Sequence, residues 1–204
     1  MAKQSTDHSK FYRRFFIIVA PIFYAFFRIK IIGQENIPEG AAVVCVNHSS
    51  MLDPLFIGIA VGKRFQSHFI AKAELFKTPI ISWFVKGLGA ISVDRSKADI
   101  GTIKESLNYL KNGKKIVIFP EGTRAAEDNA QEAKHGAIKI AERANAPIIP
   151  IYLPRKKPLF AKVTIVIGKP YVIERQKTKR THEDYDRLSD EMMDKIIQLK
   201  ECST

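Results

Sequence analysis

The stretch Asn47-His48-Ser49-Ser50-Met51-Leu52-Asp53 follows the apolar run 41–46 directly and precedes Pro54. A neutral imidazole held by a carboxylate can take a proton from a hydroxyl while the carboxylate stabilises the imidazolium that forms. His48 and Asp53 make such a pair if the loop between them curls back. Ser49 and Ser50 are adjacent to His48, but neighbouring residues seldom reach attacking geometry without a strained elbow, and no Gly-x-Ser-x-Gly pattern is present. The pair therefore reads as one that activates a substrate hydroxyl. An Asp before a Pro is also an ordinary helix N-cap, and from the local pattern alone capping accounts for Asp53. The spacing matches no familiar metal cluster.

A second constellation is Phe-Pro-Glu-Gly-Thr-Arg at 119–124. Gly122 lets backbone amides approach an anion, Thr123 offers a hydroxyl, and the Arg124 guanidinium can grip phosphate oxygens in pairs. Lys72 and Arg95 each follow another apolar run and can add charge to the same place; singly, either reads equally well as a solvated surface cation. Together they point to a phosphate site.

These residues need a scaffold that collects them. Apolar, β-branched runs at 41–47, 67–72, 90–93, 114–120, 147–153 and 162–168 read as strands, and 29–38 as a strand ending in a turn. Helical patterns fall between them, at 53–62, 74–89, 99–113 and 134–146, and an amphipathic helix with Tyr185, Leu188, Met192, Ile196 and Leu199 on its inner stripe closes the chain. Alternation of this kind implies a single α/β domain with a mostly parallel central sheet flanked by helices. Ligands in such sheets bind beyond the carboxyl ends of the strands, which is where His48, Lys72, Arg95 and Glu121–Arg124 would lie. The segments 155–162 and 174–180 read as basic, turn-rich connections.

The chain has 204 residues, 46% of them hydrophobic, and carries a formal charge of +12. That charge favours anionic partners: phospholipid surfaces, phosphorylated substrates or nucleic acid. No helix-turn-helix, aromatic RNA-binding strand or zinc spacing supports nucleic acid. The two cysteines form no framework and fit a reducing, cytoplasmic setting. Cys45, inside a strand, reads as a small buried filler; a hydrolase using Cys45 or Ser49 as nucleophile is the rival enzyme reading. Residues 15–27 are apolar nearly all round a helix, are flanked by Arg13, Arg14, Arg28 and Lys30, and are interrupted by Pro21. They are too short for the roughly 20 residues of a spanning helix. Residues 1–30 are expected to be a membrane-associating helical segment preceding the α/β domain at 31–204, with an ordinary core helix as the alternative. A non-enzymatic, basic, peripheral membrane-binding protein also accounts for the charge and this segment, but not for the ordered motifs.

The order NHSSMLD, GAISVDR, FPEGTR and APIIPIYL resembles the glycerolipid acyltransferase family, specifically the bacterial 1-acyl-sn-glycerol-3-phosphate acyltransferases, over roughly residues 30 to 170. The resemblance implies transfer of an acyl group from a coenzyme A or acyl carrier protein thioester to the sn-2 hydroxyl of lysophosphatidic acid. No metal or other cofactor is implied. His48 would be the general base and Asp53 its orienting partner, so that Asp53 caps and orients at once. Arg95 and Glu121, Gly122, Thr123 and Arg124 would bind the glycerol phosphate, with Lys72 beside them. Another lysophospholipid or glycerol 3-phosphate is the alternative acceptor. The implied location is the cytoplasmic face of the cell membrane, peripheral or monotopic. One departure is Ser92, where the second motif commonly has a bulky aromatic.

Overall fold

The computed structural model describes residues 5–61, 65–94, 100–124, 133–176 and 178–203. Seven strands are arranged in the order β1-β7-β6-β2-β5-β3-β4. They are β1 (Arg28–Ile32), β2 (Ala42–Val46), β3 (Ser67–Lys72), β4 (Ile91–Val93), β5 (Lys115–Ile118), β6 (Ile148–Tyr152) and β7 (Lys162–Ile167). The run β6-β2-β5-β3-β4 is parallel throughout; β7 pairs antiparallel with β6 and parallel with β1. Among the described residues the α-helices are α1 (Ser5–Phe26), α2 (Asp53–Val61), α3 (Pro79–Gly87), α4 (Ile100–Lys111), α5 (Gly136–Ala144) and α6 (His182–Gln198).

The period-2 geometry of β2 explains why this strand is apolar without interruption. Ala42, Val44 and Val46 point to one face, packed with α1 and α2; Val43 and Cys45 point to the other, packed with α5 and α6. Both faces are buried, so neither tolerates a polar residue. Phe56 of α2 sits at the middle of the first layer, edge-on to Phe23 and Phe27 with both ring centroids at 5.0 Å. Phe56→Ala is expected to cost about 3–5 kcal/mol of unfolding free energy, since the cavity it leaves is walled by rigid rings. Urea denaturation of the two proteins, with unchanged slope, measures it.

Two expectations about helices are corrected. Pro21 does not interrupt α1, which runs through it as one helix. Ile17, one turn back, lies with Pro21 on the exposed side; the carbonyl deprived of its donor therefore borders the surroundings rather than the core. The stretch expected as one helix at 74–89 divides into a 3-10 turn at Ala73–Phe76 and α3. Thr78 precedes Pro79, and the proline ring pushes its predecessor out of helical conformation while itself fitting a first helical position.

The apolar N-terminal segment divides into a buried and an exposed face. Tyr12, Phe16, Ala20, Phe23 and Phe27 recur at helical spacing and belong to the same core as β2 and α2, so α1 is built into the domain. Ile17, Ile18, Ile22, Tyr24 and Phe26 are exposed. Among the described residues no helix is long and apolar enough to cross a membrane.

Candidate active site

The carboxyl ends of β2, β5 and β6 lie side by side, which brings three loops together. Asn47 joins two of them: its amide nitrogen donates to the Leu153 carbonyl (2.8 Å), and its amide oxygen accepts from the Leu153 amide (2.8 Å). This pair extends the ladder by one rung through a side chain and fixes where His48 begins.

His48 Nδ1 lies 2.8 Å from Asp53 Oδ2. The same oxygen accepts from the amides of Ser49 (2.7 Å) and Ser50 (2.8 Å). Asp53 is therefore turned back on the loop. It does not cap α2 as expected: the first-turn amides of Leu55 and Phe56 donate to the Leu52 carbonyl. With its Nδ1–H given to the carboxylate, the neutral imidazole keeps its lone pair on Nε2. The ring stacks on Phe119, with centroids 4.2 Å apart, which limits its rotation.

Asp53 is 0% exposed. Burial by itself raises a carboxyl pKa. Here the hydrogen bond from His48, the Lys157 ammonium and the two loop amides outweigh it and hold the group below the ordinary range. Lys157 Nζ is 2.9 Å from Asp53 Oδ1, and the Lys157 side chain is only 5% exposed. Its own pKa is depressed by burial first, and by Arg155 nearby; the Asp53 charge opposes this without cancelling it. The asymmetry has a structural cause, because Asp53 receives three N–H donors besides Lys157, whereas Lys157 has one carboxylate. Lys157 also donates to Ser49 Oγ (2.9 Å) and the Pro154 carbonyl (2.7 Å).

Glu121 has a matching cation. One carboxylate oxygen accepts from the His48 amide (2.7 Å), and the other is paired with the Arg155 guanidinium, which also donates to the His48 carbonyl (3.1 Å). Glu121 is buried, and its carboxylate is engaged by the protein. The resemblance counts Glu121 among phosphate ligands; the structure instead places it as a brace across both ends of His48, a position that also avoids setting a bare carboxylate against an anion.

The other expected residues are distributed along the same sheet edge. Gly122 has φ +71°, the left-handed region in which the turn needs a glycine, and the end of the Lys134 side chain lies against it. Thr123 and Arg124 follow and are exposed. Lys72 ends β3, is 54% exposed and has its ammonium 3.9 Å from Glu74. Arg95 lies outside the described residues. A cavity of about 260 Å³ opens between these loops, walled mainly by Ile70, Val93, Ile103 and Phe119, with Gly122 and Lys134 at its polar side. Phe119 thus separates the cavity from the His48 ring.

The nucleophile alternatives fare poorly. Cys45 is fully buried within β2 and its thiol is pushed far up by burial, which disfavours the thiolate. Ser49 Oγ donates to the Arg155 carbonyl (3.1 Å) and accepts from Lys157, an ammonium rather than a base. The arrangement is a braced His–Asp pair with one imidazole nitrogen left for an incoming hydroxyl.

The fold and site thus set a braced His–Asp pair at the carboxyl edge of an α/β sheet. The chain belongs to the acyltransferase family, whose model matches residues 28–154. It is 34% identical over 148 residues to the 1-acyl-sn-glycerol-3-phosphate acyltransferase of Bacillus subtilis, an alignment covering 70% of this chain and 73% of that protein. It is 27% identical over 185 residues to the enzyme of the same name from Saccharomyces cerevisiae, with 84% and 60% covered. The crystal structure of the 1-acyl-sn-glycerophosphate acyltransferase PlsC of Thermotoga maritima superposes with a TM-score of 0.64 at 26% identity, covering 95% of this chain and 78% of that one.

Proposed function

We propose that the protein transfers a fatty acyl group from an acyl thioester to the sn-2 hydroxyl of lysophosphatidic acid, forming phosphatidic acid. The observation that carries this reading is the His48–Asp53 bond at 2.8 Å, set beside a Gly122-Thr123-Arg124 turn within the family-matched region. The names of the relatives from Bacillus subtilis and Saccharomyces cerevisiae support the choice of acceptor.

In this mechanism His48 Nε2 takes the hydroxyl proton as the oxygen attacks the thioester carbonyl. The C–S bond then breaks, and the imidazolium returns the proton to the departing thiolate. Asp53 stabilises the imidazolium between these steps. The chain forms no covalent acyl intermediate, and one thiol is released for each ester formed. Arg124, Thr123, Lys72 and Arg95 hold the glycerol phosphate. The mainly apolar wall of the neighbouring cavity suits part of a hydrocarbon chain. The donor is a thioester of coenzyme A or of acyl carrier protein. Arg124→Ala is expected to raise KM for lysophosphatidic acid about 10- to 100-fold, the size of a lost charge-assisted contact, with the donor KM little changed. Equal increases in both would remove Arg124 from the acceptor site.

The same reading places the enzyme on the cytoplasmic face of the membrane that holds acceptor and product. The apolar side chains free for lipid are Ile17, Ile18 and Ile22 on α1 and Ile80 and Trp83 (66% exposed) on α3. The two helices are joined by the Phe11–Trp83 edge contact at 5.0 Å. Arg13 and Arg14 are exposed beside them and can reach anionic head groups. Replacing Ile18, Ile22 and Trp83 together with Gln should release the protein from anionic vesicles in flotation while leaving its melting temperature within a few degrees. Undiminished flotation would contradict this docking surface. Phe16 and Phe27 are unsuitable for that test, since both are buried in the core.

A further inference from the structure

Away from the His48 centre, His135, His182 and Asp186 bring three ligating atoms within 4.8 Å of one another. His182 and Asp186 are one turn apart on α6 and so share a face; His135 enters from the turn that precedes α5. The Asp186 carboxylate takes His135 Nε2 at 2.5 Å on one oxygen and His182 Nδ1 at 2.9 Å on the other. The two rings meet edge to face, centroids 4.6 Å apart.

If both rings were protonated, two cations would stand within a few ångströms of each other on one carboxylate; if both are neutral, each spends an N–H on the same acceptor. A divalent ion in place of the two ring protons satisfies all three groups at once. Two imidazole nitrogens and one carboxylate oxygen form a donor set that zinc and its transition-metal neighbours accept and that magnesium and calcium, which favour all-oxygen shells, do not. One ligand is already fixed: the His135 ring stacks on Tyr185, whose hydroxyl donates to Glu142 (3.0 Å). The other two are open, with His182 80% exposed, which gives an ion a way in and leaves room for water as a fourth ligand. Zinc–ligand distances of about 2.0–2.2 Å in a tetrahedral shell set ligand atoms roughly 3.3–3.6 Å apart, so the carboxylate must draw back from the ring nitrogens it now meets at 2.5 and 2.9 Å, a movement the exposed Asp186 and His182 can make without disturbing the core.

We propose that His135, His182 and Asp186 form a binding site for a divalent transition-metal ion, zinc foremost, that fastens α6 to the entrance of α5. The residue before His135 shows why this matters beyond the surface. The Lys134 amide donates to the Pro120 carbonyl (2.8 Å), and its side chain is the one a Cβ at Gly122 would strike. An ion on His135 therefore steadies the strand-end turn of residues 120–122 from behind. The inference rests on this cluster alone and stands whether or not the protein transfers acyl groups.

The test uses full-length, untagged, metal-stripped protein, titrated with zinc in a calorimeter and melted with and without it. Wild type should bind one ion per chain saturably and gain about 5 °C in melting temperature at a hundredfold excess over Kd, with no gain from magnesium. His182→Gln and Asp186→Asn should each weaken binding at least about tenfold and abolish the gain, while melting within about 2 °C of wild type without metal. Both residues are exposed, so folding is not at stake, and His48 and Cys202 remain in each variant as alternative ligands. No saturable zinc binding by wild type, a shift given equally by magnesium, or binding retained in either variant would overturn the proposal.

Discussion

His48→Ala is expected to reduce kcat about 10²- to 10⁴-fold, the usual contribution of a positioned general base, while leaving KM for both substrates within a few-fold. The separation follows from where His48 sits: its imidazole contacts Asp53 and Phe119, and its backbone is held through the Glu121 and Arg155 contacts independently of its side chain. Removing the ring leaves those backbone contacts in place, so the loop should keep its shape. Asp53→Asn should be nearly as damaging, because an amide can donate to Nδ1 and stabilise the tautomer with its lone pair on the wrong nitrogen. Initial rates over a matrix of donor and acceptor concentrations check both. A His48→Ala protein retaining more than about a tenth of wild-type kcat would remove His48 from the chemistry.

The second large effect falls on Lys157. Lys157→Met keeps the apolar stem and deletes the ammonium, leaving the buried Asp53 charge without its counter-ion. Breaking a buried pair by removing one partner costs about 3–5 kcal/mol, and neither side chain here is exposed enough for solvent to soften that figure. Unfolding free energy should drop by that amount and kcat with it, since the unpaired carboxylate would shift toward the loop amides and away from its present bond to His48. The double variant Lys157→Met with Asp53→Asn should recover much of the lost stability but not the activity. Additive losses in that cycle would mean that the two residues are not coupled. Chemical denaturation of the four proteins decides the matter.

Lys157 and Arg155 also mark the limit of what the sequence discloses. The strands were legible because period-2 and continuous apolar runs are local signals, and the parallel sheet followed from their alternation with helices. That reading placed His48 and Glu121–Arg124 at strand ends, where the structure has them. Residues 155–162 read as a basic connection because charge and proline are surface signals by default; the acids that recruit Arg155 and Lys157 are 34 and 104 positions away, outside any local window. Two cues were nevertheless available. Arg155 and Lys157 follow β6 as Glu121–Arg124 follow β5, so the strand-end rule applied to them equally. Two acids destined for burial, Asp53 and Glu121, also require cations from somewhere. The Asp53 cap was misread for a related reason, since capping and loop-bracing carboxylates have the same local sequence and differ only in which way the side chain turns. The N-terminal segment combined a core-facing helix side with an exposed apolar one; a helix apolar on both its buried and its exposed sides has no polar periodicity to reveal the division.

The central claim is best tested by incubating the purified protein in anionic vesicles with lysophosphatidic acid and an acyl thioester of coenzyme A or, separately, of acyl carrier protein. Phosphatidic acid is quantified by mass spectrometry and free thiol by colorimetry. Acyl transfer predicts one thiol per phosphatidic acid with at least one donor, and no acyl adduct on the protein. Thiol release without phosphatidic acid, or silence from both donors while the protein remains folded and vesicle-bound, would contradict it.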